Sequence, residues 1–385
     1  MTGTLRHAVA CEFSPRASGP NYNRGMELRR SKPGIVVVLT IVTLSASTAL
    51  AAPKRQPLKS KADEAAAEKA AAAELAAAND KTAPHLGPTQ TIQFRVGAEV
   101  TARNGACRGI IAMVSVPLDC AEQSVRVVSE DFSPEVAEVA YRPVPGGEVK
   151  QMMISIPRLN DGVTAHAILT LEVATRTILP PEETAELKVP KKIPAKIRVY
   201  MNASPYIEAN HQRVKALSKE VMGEVEESAD DWTKIEAIYD AVLKKIEYVE
   251  GPDKGAVETL RDGQADCQGR SAVFIALCRA NKIPARMVWV HGHCYPEFYL
   301  EKVEGEGHWY PCESAGTRAF GEMPLARTIL QKGDNFRVPE RKEKLRYASD
   351  YLTGLPVPGG GKPKVKYIRE IVPGTASPAT LNVAN

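Results

Sequence analysis

The sequence is poor in aromatic residues, which fill 6% of its 385 positions. It also has little net charge: fifty basic residues stand against forty-six acidic ones, a formal +4. That near balance lacks the electrostatic footprint of a nucleic-acid binder, and nothing asks for an acidic polymer as partner. Cysteine is scarce, with seven in the chain, too few for a small disulfide scaffold of this length. No Cys-x-x-Cys pair appears, so the cluster His291, His293, Cys294, His308 and Cys312 does not read as a zinc site. Gly359-Gly360-Gly361 lacks the Lys-Ser/Thr of a phosphate loop and follows Pro358, which makes it a linker or hairpin turn. No Asp/Asn cluster of calcium-loop type is present. No metal and no cofactor are therefore expected. The apolar run Ile35 to Leu44 is too short for a stable spanning helix. With 44% hydrophobic and 25% charged residues, the composition is that of a soluble globular protein of roughly two or three domains.

What the N-terminus does contain is a basic segment (Arg29, Arg30, Lys32), that short apolar run, and small residues at Ala49-Leu50-Ala51. This order is a signal peptide over 26–51, and it implies export to the periplasm or the extracellular space. Membrane attachment would come only through an uncleaved signal. Met26 begins the signal, so residues 1–25 read as a mis-assigned extension, which would remove Cys11 from the mature chain. Six cysteines then remain, in a compartment where disulfides persist.

Residues 52–88 form an Ala/Lys/Glu-rich spacer helix and linker, closed by Pro84, Gly87 and Pro88. Residues 89–200 carry short β-like runs, such as Ile92 to Val96, Gly109 to Val116 and Thr164 to Val173, separated by turns such as Asn104-Gly105. That pattern predicts a β-sandwich. Cys107 and Cys120 flank one of its strands and are expected to form a local disulfide. From 205 the period becomes helical. One helix opens at Ser204-Pro205 and carries Val214, Leu217 and Val221. Another, over about 230–248, puts Trp232, Ile235, Ile238, Tyr239, Val242 and Ile246 on one face. Residues 336–385 are expected to be a C-terminal extension with a terminal strand and a flexible tail.

The chemistry-bearing stretch begins at Gly263-Gln264-Ala265-Asp266-Cys267-Gln268-Gly269. A turn leads into an apolar helix with Cys267 at its start. The partial positive charge of a helix N-terminus stabilises a thiolate there. Asp266 is the expected helix cap, and Cys278 reads as a small buried hydrophobe. Two strands follow, His293 to Leu300 and Gly307 to Glu313, joined by a turn around Glu304-Gly305-Glu306. A turn centred on Val303 would set His293 opposite Glu313 and Cys294 opposite Cys312 on the other face. The first pair supplies a base and its orienting carboxylate. The second would be a cross-strand disulfide.

These residues resemble the transglutaminase-like superfamily over about 205 to 335. The resemblance rests on the Gly-x-x-x-Cys-x-Gly turn, the Ala-Leu-Cys-Arg-Ala helix end and Ile283-Pro284-Ala285-Arg286. It also rests on His293-x-Tyr295-x-Glu297 and Trp309-x-Pro311-x-Glu313. It implies a papain-like domain over 201–335, its nucleophile helix packed on an antiparallel sheet, and an α+β chain with the β-sandwich in front. It makes Cys267 the nucleophile, His293 the general base and acid, and Glu313 the orienter. The family usually has Asp where Glu313 stands and Trp where Tyr295 stands. The family's oxyanion hole adds a side-chain donor to the nucleophile's own N–H, and Gln264 is the candidate for that donor. The implied reaction is thiol-dependent acyl transfer on peptide or amide bonds through a Cys267 thioester, with hydrolysis favoured. Protein cross-linking, or a non-enzymatic domain of the same fold binding the cell envelope, are the alternatives. The expected partner is a protein or peptide substrate, in the cell envelope or outside it.

Overall fold

A computed structural model describes residues 54–61, 63–65, 80–302 and 307–376. The expected signal peptide, most of the Ala-rich spacer, the turn at 304–306 and residues 377–385 lie outside the described residues. The first strands are β1 (Lys54–Arg55), β2 (His85–Thr101), β3 (Cys107–Val116), β4 (Gln123–Phe132), β5 (Glu138–Pro143), β6 (Gly147–Leu159) and β7 (Thr164–Leu179). A 3-10 turn at Arg198–Met201 leads to α1 (Gln212–Glu224) and α2 (Asp231–Lys245). Next come β8 (Glu247–Tyr248), α3 (Ala256–Asp262), β9 (Gln264–Ala265) and α4 (Cys267–Ala280). The remaining strands are β10 (Ala285–Val290), β11 (His293–Glu301), β12 (Gly307–Glu313), β13 (Ala319–Phe320), β14 (Ile329–Gly333), β15 (Tyr351–Pro356) and β16 (Lys364–Ile371).

The expected β-sandwich is present. Ile92, Phe94, Val96, Ala98 and Val100 alternate inward from β2, and Ala165, Ala167, Leu169, Leu171 and Val173 do so from β7. They meet Ile110, Ala112 and Val114 of β3 and Met152, Ile154 and Ile156 of β6 in one core. This period of two buries one face of each sheet. One sheet has the order β16-β2-β7-β4; in the other, β15 pairs with β3, β3 with β6, and β6 with β5.

Two boundaries differ from the sequence expectation. The linker at 84–88 is already strand, since β2 starts at His85, and Pro88 falls where the β2–β7 register shifts between Leu86 and Thr89. Proline is tolerated at such an interruption because no ladder donor is lost there. The C-terminal segment supplies two strands that complete the sandwich. β15 pairs with β3, and β16 runs beside β2 from Lys364↔Thr101 to Ile371↔Phe94. The expected Cys107–Cys120 bridge is absent, both thiols being free. The extended strand β3 separates them. Ten residues at about 3.3 Å each span about 30 Å, far beyond the roughly 7 Å that a disulfide allows between Cα atoms. Cys107 instead hydrogen-bonds the carbonyl of Gly361 at 3.3 Å.

The second sheet continues as β14-β10-β11-β12-β13, with β14 paired to the first residues of β6, from Gly333↔Gly147 to Gln331↔Val149. Helix α4 lies against β11 and β10 and is buried from Cys267 to Arg279. Such a helix belongs inside a core, not on its surface. Val214, Leu217 and Val221 of α1, and Ile235, Ile238 and Tyr239 of α2, join it with Phe298, Leu300 and Tyr310. The helix expected to open at Ser204-Pro205 starts instead at Gln212, where His211 accepts a capping hydrogen bond from Arg213 N at 3.2 Å. Asp230 caps α2 by accepting from Thr233 N at 2.7 Å.

Candidate active site

The turn that delivers Cys267 is built by two glycines. Gly263 ends α3 in the left-handed region, at φ 69°, where a side chain would be strained. Gly269 lies in the first turn of α4, where a Cβ would come within 2.4 Å of Ala265 Cβ and 2.6 Å of Thr259 Oγ1. Without a side chain there, α4 packs directly on β9 and α3. The Gly-x-x-x-Cys-x-Gly spacing is thus a packing requirement around Cys267. Asp266 caps α4 as expected, accepting from Gly269 N at 3.0 Å. Cys267 follows as the first helical residue. Its N–H belongs to the turn whose donors have no intrahelical acceptor.

Directional bonds fix the start of α4. Arg270 donates to the carbonyls of Ile246 (3.0 Å), Leu243 (3.1 Å) and Ser314 (2.8 Å). Ser271 and Ser314 share a hydrogen bond at 2.7 Å, and Ser314 Oγ also reaches the Cys267 carbonyl at 3.3 Å. Arg270 therefore ties the nucleophile helix to the end of α2 and to the residue after Glu313.

His293 opens β11 after a tight hairpin in which Val290 pairs with His293 and Gly292 takes φ 68°. Glu313 closes β12. Tyr239 Oη donates to its carbonyl at 2.5 Å, and Ala315 N donates to Oε1 at 2.8 Å. His293 Nε2 lies 3.0 and 3.1 Å from the two Glu313 oxygens. With Nε2 so occupied, the ring offers Nδ1 to Cys267. The longer arm of Glu in the place of the family's Asp is accommodated, because both carboxylate oxygens reach the ring.

The strand register differs by two from the expected one. Glu297 pairs with Pro311, Phe298 with Tyr310 and Leu300 with His308. A shift of two preserves faces, since side chains alternate with period two. His293 and Glu313 therefore still meet, at the strand ends. The expected Cys294–Cys312 bridge does not form, and both thiols are free. Cys312 pairs with Phe320 of β13, whereas Cys294 faces α4 and its thiol donates to Cys267 Sγ at 3.8 Å.

The electrostatics favour the charged forms of Cys267 and His293 together. The Cys294 thiol donor, and then the His293 hydrogen bond and charge, outweigh burial and hold the Cys267 thiol down at about 5. Burial disfavours the His293 imidazolium, but hydrogen bonds and charges from Cys267 and Glu313 prevail and raise it to about 9. Glu313 also resists its own burial and stays below the usual carboxylate range through His293. Burial, the Cys267 charge and Asp253 push Asp266 up to about 6.

The remaining expected residues fall elsewhere. Gln264 is exposed on β9, three residues before Cys267, and its backbone carbonyl accepts from Lys254 Nζ at 3.1 Å. His291 packs edge-on against Phe94 at 5.2 Å, and His308 pairs with Asp80 at 3.7 Å. Cys278 is buried in the core, and its thiol is held well above its ordinary value by that burial. Sequence reasoning missed Arg346 and Tyr347. Arg346 donates to Gln268 Oε1 at 2.6 Å and pairs with Asp253, while Tyr347 packs on Trp289 at 5.3 Å. The segment expected as a C-terminal extension thus lies against Gln268, the residue after Cys267. No spacing from 267 to 346 signals such a long-range contact.

Residues 215–314 match the family described as the transglutaminase-like superfamily. The matched span contains Cys267, His293 and Glu313. No curated protein matches the chain. Among solved structures, one of a proposed cysteine protease from Cytophaga hutchinsonii is 16% identical, with TM-score 0.49, covering 78% of this chain and 96% of that one. Another, of a proposed protease from Parabacteroides distasonis ATCC 8503, is 11% identical with TM-score 0.22. It covers 60% of this chain, which spans 47% of that protein.

Proposed function

We propose that the chain, whose residues 215–314 match the transglutaminase-like superfamily, is a papain-like thiol hydrolase acting on peptide or amide bonds. The observation that carries this reading is the convergence of the Cys267 thiol, lowered to about 5, with a His293 ring held by both Glu313 oxygens at 3.0 and 3.1 Å. A thiolate and imidazolium prepared at neutral pH supply nucleophile and acid together. The thiolate attacks the amide carbonyl, and the charge developing on oxygen faces the N–H of Cys267 at the helix N-terminus. The C–N bond breaks as His293 protonates the leaving amine, and a Cys267 thioester remains. Water attacks that thioester while His293 takes its proton, releasing the acid and restoring the ion pair. An amine in place of water would turn the same intermediate into a cross-link.

The basic, apolar and small-residue order of 26–51 supports an exported enzyme that meets protein or peptide substrates in the cell envelope or beyond it. The test is a peptide library incubated with purified protein and read by mass spectrometry, beside Cys267→Ala. Cleaved peptides in the wild type alone support the reading. Intact peptides, together with slow and unsaturable alkylation of Cys267 that is indifferent to His293→Ala, would return the chain to a binding role.

A further inference from the structure

We infer that Cys294 is a resolving cysteine for Cys267, so that mild oxidation closes a reversible Cys267–Cys294 disulfide that silences and protects the site. The two sulfurs are already in contact at 3.8 Å, with the Cys294 thiol directed at the Cys267 sulfur. A disulfide needs them at about 2.0 Å. Each residue sits at an end of its element, Cys267 first in α4 and Cys294 second in β11, directly after the Gly292 turn. Closure therefore asks for adjustment at two element ends and not in mid-helix or mid-strand. Acyl transfer gives Cys294 no bond to make or break. Yet it is fully buried and in contact with the only described cysteine whose thiol is lowered; burial raises Cys294, Cys278 and Cys312 alike.

With hydrogen peroxide as oxidant, the Cys267 thiolate attacks one peroxide oxygen. The O–O bond breaks, hydroxide leaves, and Cys267 becomes a sulfenic acid, having given up two electrons. Hydroxide takes a proton from solvent. Burial is the main cause that holds the Cys294 thiol up, and the hydrogen bond and charge of the Cys267 thiolate that add to it are now gone. Cys294 sulfur attacks Cys267 sulfur, the S–O bond breaks, and its proton leaves with hydroxide as a second water. A dithiol reverses the reaction by exchange. Without a neighbour to intercept it, the sulfenic acid goes on to the irreversible sulfinic and sulfonic states.

The inference rests on Cys267 being the reactive thiolate, and the experiment separates the two claims. Full-length reduced protein is first alkylated with iodoacetamide in a time course. It is then exposed, unalkylated, to a few equivalents of hydrogen peroxide, and its digest is read by mass spectrometry with and without dithiothreitol. The expected result is fast alkylation of reduced Cys267 and, after peroxide, a linked pair of peptides carrying Cys267 and Cys294. Dithiothreitol should restore alkylation nearly in full. In Cys294→Ala, the same dose should instead drive Cys267 to sulfinic acid, with recovery lowered at least about tenfold. Fast alkylation followed by sulfinic acid in the wild type, with no linked pair, overturns the inference and leaves the nucleophile standing. Slow alkylation of reduced Cys267 overturns both. The wild-type arms decide the matter even where the alanine variant does not fold.

Discussion

The two cores of this molecule bury different things. Among the described residues, the sandwich buries apolar side chains with neutral polar ones such as Ser115, Gln123, Ser133, Gln151 and Thr175. Every buried charged side chain among the described residues lies between Asp266 and Asp334: Asp266, Arg270, Arg279, Arg286, His293, Glu297, Glu313, Lys332 and Asp334. Burying a charge is costly unless it is paired. Most are paired: Arg279 with Asp334 at 2.7 Å, Arg286 with Glu297 at 2.9 Å, Lys332 with Glu122 at 2.8 Å and His293 with Glu313 at 3.0 Å, while Arg270 and Asp266 bond backbone groups. Non-directional burial is enough to hold two sheets face to face. Holding a thiol, an imidazole and a carboxylate at hydrogen-bond distance needs directional contacts, whose desolvation cost falls mainly on this core.

The sharpest break of this contrast is in activity. Cys267→Ala should lower kcat/KM by about 10⁴-fold or more while leaving the melting temperature within a few degrees. In the sandwich, Ile154→Ala should do the reverse, costing about 2–5 kcal/mol of stability with activity per folded molecule unchanged. Peptide cleavage and calorimetry on the same two samples decide it. An inactive, stable Ile154→Ala would show that the sandwich takes part in catalysis.

Next in size is the pairing itself. Arg279→Met strands the buried Asp334 carboxylate and should cost about 3–5 kcal/mol in urea titration. Adding Asp334→Leu should recover most of it, because two apolar partners leave no charge unpaired. A loss below about 1 kcal/mol in the single variant would mean that the pair carries no structural weight.

Glu313→Gln should lower kcat by roughly 10²-fold, since the imidazolium loses its counter-charge while the ring keeps one acceptor. In the wild type, kcat/KM should be bell-shaped. It falls below about 5, where the Cys267 thiolate is protonated, and above about 9, where the His293 imidazolium loses its proton. The carboxylate supports only the imidazolium, so Glu313→Gln should draw the alkaline limb toward neutral pH. An alkaline limb that does not move would remove Glu313 from the role of orienting partner.

How far the site was legible follows from the same physics. Local signals were enough for Cys267, since a glycine turn before an apolar helix specifies a helix start. Parity was enough for His293 and Glu313: the register was off by two, yet a shift of two leaves every side chain on its face. Parity also carries a second signal. The even positions Cys294, Phe298, Leu300, Tyr310 and Cys312 form the face that α4 packs on, so Cys294 meets the nucleophile helix before it can meet Cys312. Non-local contacts were not legible. That β15 and β16 complete the sandwich depends on pairings such as Ile371↔Phe94, which no window of sequence contains. The placement of Arg346 on Gln268 is illegible for the same reason.

The smallest effect concerns Asp266, which sits in both accounts as helix cap and as buried charge. Its carboxyl is pushed up to about 6, chiefly by burial and in part by the Cys267 thiolate. Interaction between two charges is reciprocal, so ionised Asp266 must in turn oppose the thiolate. Asp266→Asn keeps an acceptor for Gly269 N and hence the cap, but removes the charge. At the acid limb of kcat/KM, near pH 5, a carboxyl raised to about 6 is already largely protonated, so the limb should stay within about 0.3 pH units of the wild type. The helix start should be undisturbed, which the melting temperature reports. An acid limb that moves upward would mean that the cap, and not the charge, governs Cys267, and the directional account of this core would then rest on geometry alone.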